Sequence, residues 1–395
     1  SLFVGSVLPT FLPQAYTAIF PEIPTWPFLI QCLLIPILGA YAGDEIEFKQ
    51  LKHMGKNGVL FVVTSLVTPI LFALPVAYGL AVWKGNPFIQ EHANAGGVIM
   101  GIVAVIFMRA LPTMIAFFKS NKWDNDLVKA SLVGASFDDL TVFVVIQPII
   151  AGLMSGNGLI GIIDSATAVA LLGLSMFILA FITKKLPHSL QLPIAIVALL
   201  AGAGLGEMLG HVHVILSGIF WGMMMPKSVT KEFEHRTKDF VIMFLVPLFF
   251  AGLGITRHFD VLSWQPWALM IPCLIVAYLA HEFVTAKVAA KVFGNNPVAG
   301  RVLGALCRTH GTADVLLAVT LFDMGILSAH GQSGIVLYLM VATIQAFSQA
   351  QSLVDKHPEL AVIRMQTLPL SEEEIFVGGQ PAMVFASPPD NDEDN

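Results

Sequence analysis

The sequence predicts an all-α polytopic membrane protein, and three observations predict it. Charged residues make up 12% of the 395 residues, about half the share of roughly 25% usual in soluble domains. Hydrophobic residues reach 56%, with a mean hydropathy of +0.77. Apolar runs of about 20 residues, the length that crosses a hydrocarbon core, recur along the chain. A soluble fold of this size could not cover its surface with so few charges.

In chain order the runs place complete spans near 27–43, 57–83, 96–118, 127–154, 159–183 and 190–210. They continue near 212–226, 236–255, 264–286, 298–322 and 331–354. Leu2–Pro13 reads as the remaining half of a further span trimmed at its start, giving eleven complete spans and one partial. The bias of Lys and Arg toward cytoplasmic loops tests this map. Alternate loops collect Lys49, Lys52 and Lys56, then Lys119, Lys122 and Lys129, then Lys184 and Lys185. The same side continues with Lys227, Lys231, Arg236 and Lys238, and with Lys287, Lys291 and Arg301. The opposite loops hold only Lys84 and Arg257, so the C-terminus is placed in the cytoplasm.

The net charge of −6 is a property of the tail, not of the body. From Ser371 onward there are seven acids and no base, and the remainder holds twenty acids against twenty-one bases. No basic face exists for nucleic acid. Residues 1–368 therefore read as one transmembrane domain and 369–395 as an acidic, disordered cytoplasmic end. The three cysteines, Cys32, Cys273 and Cys307, lie in apolar runs without zinc or disulfide spacing and read as small buried hydrophobes.

Ionisable groups in apolar spans are costly, so each is a functional candidate. The sharpest is Asp138-Asp139, deep in the 127–154 span after Ser136. Two adjacent acids in a low dielectric cannot both keep a bare charge, and a proton or a hard cation relieves them equally well. A salt-bridged structural pair or a helix end at the interface is the competing explanation. Arg109, Pro112 and Thr113 interrupt the preceding span, where the proline frees carbonyls at membrane depth or simply makes a packed kink. A buried Arg109 needs an anion. In the late half, His281 and Glu282 interrupt 264–286, and Arg308, His310 and Asp314 interrupt 298–322. Glu207, Asp164 and Asp323 fall near span ends and read as interfacial, and Pro247, Gly252 and Gly254 as packing and bending. Two interrupted segments in corresponding halves are the sequence pointer to an inverted-repeat transporter.

With these residues in place, the chain from about Phe28 to Val354 resembles the cation:proton antiporter superfamily, the bacterial Na⁺/H⁺ or K⁺/H⁺ antiporter and plant cation/proton exchanger branch. The resemblance rests on four segments in order: Ile35–Leu51, Ser136–Asp139, Val246–Gly254 and Cys307–Asp314. It implies a sodium/proton-antiporter-like fold with two crossed, unwound helices. Core transport helices would lie at about 57–154 and 264–354, and scaffold or dimerisation helices largely at 1–43 and 190–226. It further implies a homodimer in the bacterial inner membrane, with Asp138 and Asp139 binding a proton or, transiently, Na⁺ or K⁺. The Asp-Asp form resembles the electrogenic type. Two departures stand out. Arg109 occupies the place of a threonine, and Glu282 the place of a lysine that pairs with the first aspartate. Arg109 is thus the expected counter-charge to Asp138 or Glu282.

The leading expectation is secondary active exchange of a monovalent cation for protons by alternating access. The alternative is an ion-sensing or channel-like protein on the same fold, which Arg109 favours and the intact acid pair disfavours. There is no His-Glu-x-x-His or Gly-x-Ser-x-Gly arrangement, so the chain does not read as an enzyme, and no cofactor is expected.

Overall fold

A computed structural model describes residues 26–45, 55–110, 114, 117–118, 121, 126–157, 159–208, 214–257 and 263–362. Leu2–Pro13, Pro112, Thr113 and the acidic tail lie outside the described residues. Among the described residues the regular structure is helical, apart from one isolated antiparallel bridge between Ile89 and Leu327. Helices satisfy every backbone group within one segment, which lipid demands.

The early half runs α1 (Trp26–Glu45), α2 (Gly55–Val82) and α3 (Ala95–Phe107), then α4 (Asp126–Leu140), a π turn (Thr141–Ile146) and α5 (Gln147–Met154). Next come α6 (Leu159–Lys185), α7 (His188–Met208) and α8 (Val214–Met224). The late half has α9 (Lys227–Phe240), a π turn (Val241–Leu245) and α10 (Val246–Arg257), then α11 (Trp264–Tyr278), a third π turn (Leu279–Thr285) and α12 (Ala286–Val292). It closes with α13 (Pro297–Leu306), α14 (Thr312–Asp323) and α15 (Ala329–Lys356).

Two of the three π turns have an identifiable cause. Pro148 and Pro247 each lack an N–H, and the carbonyl four residues earlier falls inside the π turn Thr141–Ile146 or Val241–Leu245. A wider turn accommodates the missing bond and the ring. The bending expected at Pro247 thus takes this form, and Gly252 is buried as packing requires.

Six helices among the described residues are long and apolar enough to cross a membrane: Gly58–Val82, Ser131–Met154, Leu159–Lys185, His188–Gly206, Trp264–Val292 and Ala329–Lys356. The apolar stretches Ala95–Phe107, Val214–Met224 and Pro297–Leu306 are shorter. The expected 96–118 and 298–322 spans are not continuous helices. The first stops at Phe107, and the second divides into α13 and α14 around residues 307–311.

Small residues let helices approach to backbone contact, the usual device where lipid gives no hydrophobic drive to association. Gly39 and Gly43 of α1 face the carbonyls of Ile215 and Ile219, while Gly218 and Gly222 of α8 face those of Pro36 and Ala40. At the end of α1, Asp44 Oδ1 accepts from Lys227 Nζ at 2.7 Å and Thr230 Oγ1 at 2.6 Å. Elsewhere the segment before α3 is fastened to the α14–α15 connection. Gln90 N–H donates to Ile326 O at 3.0 Å, and Ser328 N–H to Phe88 O at 2.9 Å. Leu171, Leu174, Phe177, Ile178, Phe181 and Ile182 of α6 are exposed, as a lipid-facing stripe must be.

Of the cysteines, Cys273 and Cys307 are buried as expected, but Cys32 is exposed on α1. An apolar run in a membrane protein has a lipid-facing side, so apolar sequence context does not imply burial. Asp164 and Asp323 are exposed near helix ends, in keeping with interfacial positions, whereas the Glu207 side chain lies outside the described residues.

Candidate functional site

The site forms where two helices stop in mid-protein. α3 ends at Phe107 and Met108 turns extended, with φ −62° and ψ 146°. α13 ends at Leu306, and Gly311 is extended, with φ −140° and ψ −160°, before α14 begins. The two interruptions touch through their backbones, because Ala110 N–H donates to Thr309 O at 2.9 Å. Each interruption also carries an arginine two residues past a helix C-terminus, Arg109 after Phe107 and Arg308 after Leu306. Helix C-termini present unpaired carbonyls and favour cations.

Arg109 and Asp138 form an ion pair through Arg109 Nε and Asp138 Oδ2, with both side chains 0% exposed. The remaining guanidinium nitrogens reach Cys307 Sγ at 3.2 Å and Ser65 Oγ at 3.1 Å. Arg109 therefore ties α2, α4 and the end of α13 together. Gly134, one turn before Asp138, makes this possible. A Cβ there would lie 3.1 Å from both terminal guanidinium nitrogens. Of the two anions expected for Arg109, Asp138 is its partner. Glu282 is engaged elsewhere, by Arg308 at 3.1 Å and by Gln349 Nε2 at 2.5 Å.

Asp139 is also buried, and its Oδ1, like Asp138 Oδ1, has no hydrogen-bond partner among the described residues. Asp314 is near enough to act electrostatically on both aspartates. Its own oxygens are committed: Oδ2 accepts Gly311 N–H at 2.5 Å, and Oδ1 faces His310 Nδ1 at 3.5 Å. His310 continues to Tyr338 Oη at 3.0 Å, and its backbone N–H donates to Thr343 Oγ1 at 2.8 Å.

Three candidates are less central than their positions in the sequence suggest. Ser136 Oγ donates to Leu132 O at 2.8 Å and so is turned onto its own helix. His281 is buried, with Nδ1 3.5 Å from Thr285 Oγ1 and Nε2 without a partner among the described residues. Glu282 and Arg308 form a second cluster, in which Arg308 also donates to Gln349 Oε1 at 2.5 Å and lies 5.2 Å from the Tyr278 ring centroid. Ser65, Gln349, Tyr338 and Thr343 carry no sequence signal, since single hydroxyls and amides in apolar helices have no distinctive spacing. Cys307 was legible as buried but not as a contact of Arg109.

Chemically, the arrangement offers two buried carboxylate oxygens without partners among the described residues, and one permanent cation. Hard monovalent cations and protons are the species such oxygens accept.

Comparison with known proteins bears on the whole chain. The family profile described as "Sodium/hydrogen exchanger, transmembrane" matches residues 1–352. The Na(+)/H(+) antiporter NhaS4 of Synechocystis sp. is 25% identical over 355 residues, covering 86% of this chain and 85% of that protein. Cation/H(+) antiporter 25 of Arabidopsis thaliana is 26% identical over 153 residues, covering 38% of this chain and 18% of that protein. Among solved structures, the sodium proton antiporter MjNhaP1 from Methanocaldococcus jannaschii aligns with a TM-score of 0.56 and 16% identity, covering 90% of this chain and 91% of that one. At that identity the likeness concerns the fold.

Proposed function

The chain belongs to the transmembrane sodium/hydrogen exchanger family and is a multi-pass membrane protein, and from that premise we propose that it exchanges a monovalent cation, Na⁺ or K⁺, for protons at Asp138 and Asp139. The observation that carries the site is the pair of buried carboxylate oxygens without partners, one on each aspartate, beside two interrupted helices. A buried polar atom without a partner is destabilising. Asp139 Oδ1 is satisfied when a cation or a proton arrives, with Asp138 Oδ1 beside it, and the two occupants compete because each removes the same deficit.

Alternating access follows if the elements around the acids move together past a scaffold. The backbone-close packing of α1 on α8 supports a scaffold built from the early chain and the 190–226 region. The fastening of the Phe88–Gln90 segment to Ile326–Ser328 supports a single moving core drawn from both halves. In this reading the α3 and α13–α14 interruptions cross at the Ala110–Thr309 hydrogen bond, and the C-terminus is cytoplasmic.

The Arg109–Asp138 pair favours a second reading, an ion-sensing or channel-like protein in which the cation binds without exchange. One experiment separates the two. Purified protein in proteoliposomes is given Na⁺, K⁺ or Li⁺ gradients while internal pH is followed. The antiporter reading expects cation-driven proton movement that Asp139→Asn abolishes. No salt-evoked proton movement in the wild type contradicts it.

A further inference from the structure

We propose that Arg109 holds Asp138 as a resident ion pair and leaves Asp139 as the single exchanging group, so that one cation crosses per proton and exchange moves no net charge. This rests on the antiporter reading above and adds its stoichiometry. The Asp138-Asp139 motif by itself resembles the electrogenic type; the placement of Arg109 in this chain points the other way.

A carboxylate can carry a proton across only if the cation beside it tolerates losing its partner. Arg109 does not. A guanidinium keeps its proton in proteins, so protonating Asp138 would leave a buried cation. Its other neighbours are neutral acceptors, Cys307 Sγ at 3.2 Å and Ser65 Oγ at 3.1 Å. Glu282 cannot take over, because Arg308 and Gln349 already hold it. Breaking a fully buried pair by neutralising one member is among the most unfavourable single changes a protein interior undergoes.

Asp314 is excluded on similar grounds. It stands in the first turn of α14, where it accepts the Gly311 N–H at 2.5 Å and faces His310, and negative charge is favoured at that end of a helix. The groups acting on Asp139 are thus Asp138, Asp314 and Arg109, and each is already committed to another partner. Among the described residues Asp139 makes no ion pair, and its Oδ1 is enclosed without a partner. With Arg109 and Asp138 cancelling, Asp139 carries one negative charge when empty. A proton and a monovalent cation neutralise it identically, so both loaded forms cross with the same charge.

The test uses the full chain in proteoliposomes, with proton flux read by a pH dye and charge by solid-supported-membrane electrometry under Na⁺ or K⁺ gradients. The expected wild-type result is proton flux without transport current and a balance point indifferent to an imposed potential. An exchange carrying one net charge would shift that balance roughly 50-fold per 100 mV. In Arg109→Gln, Asp138 is released to take a proton, and the exchange that survives becomes sensitive to potential. Wild-type exchange accompanied by current overturns the proposal, as does Arg109→Gln exchange that ignores potential as the wild type does. The wild-type current decides the matter even where Arg109→Gln fails to insert. A wild type that moves no protons at all contradicts the antiporter reading itself, and the two failures are therefore told apart.

Discussion

The two helix interruptions use one device to different ends. Each places an arginine two residues beyond a helix C-terminus and pairs it with a buried carboxylate, Arg109 with Asp138 and Arg308 with Glu282. Around Arg308 the neighbours hold the acid. Gln349 bridges to both partners, Tyr278 lies beside the guanidinium, and Glu282 leaves no orphaned oxygen among the described residues, the one deficit there being the donor Arg308 Nε. Around Arg109 the neighbour is a second acid, and both Asp138 and Asp139 retain an oxygen without a partner. A cluster whose carboxylate is satisfied fixes geometry. One left short by a proton or an ion binds and releases, and here the difference comes down to Asp139 standing where the other cluster has Gln349.

The contrast can be broken most severely at Asp139. Asp139→Asn is expected to reduce cation-driven proton flux to that of empty vesicles while thermal unfolding in detergent stays within about 1 kcal/mol of wild type. Next in size is Asp138→Asn, which leaves Arg109 buried without a counter-charge. A loss of about 3–5 kcal/mol is expected in chemical unfolding, and the double variant Arg109→Gln/Asp138→Asn should recover most of it. A double variant no more stable than the single one would show that the pair is not what holds α2, α4 and α13 together.

Gln349→Leu sharpens the other side. It opens the Arg308 cluster without removing a charge, so stability should fall by about 1–2 kcal/mol while the pH profile of exchange keeps its shape. A displaced profile would place the second cluster in the transport cycle. The smallest effect belongs to Gly134→Ala. The new methyl would sit 3.1 Å from the Arg109 terminal nitrogens, so the guanidinium must give by a few tenths of an ångström, at about 1 kcal/mol. A Gly134→Ala protein with unchanged stability would mean that Arg109 has slack.

Much of this was legible in the sequence because membranes make ionisable residues conspicuous. Asp138, Asp139, Arg109, Arg308, Glu282 and Asp314 stand out against apolar runs, and the interruptions at 109–113 and 308–312 followed from charge and proline within spans. The pairing was not legible. Arg109 had two acids to choose from, and the choice depends on Gly134 opening one face of α4 and on Gln349, 67 residues from Glu282, occupying the other acid. Ser65 and Tyr338 are invisible for the same reason, since a hydroxyl in an apolar helix gains meaning only from what packs beside it. The residues at which the helices of the 96–118 and 298–322 spans stop, Phe107 and Leu306, were not legible, because hydropathy measures apolar length and is blind to where a helix breaks.

Direct binding tests the alternation of proton and cation at Asp139 most plainly. Weakly buffered, detergent-solubilised protein is titrated with NaCl or KCl, with choline chloride as the control, and the protons released are counted. Release of about one proton per cation bound is expected, diminishing as the pH is raised and the site empties of protons, and disappearing in Asp139→Asn. Cation binding with no proton release, or release that persists in Asp139→Asn, would contradict a site at which the two ions take turns.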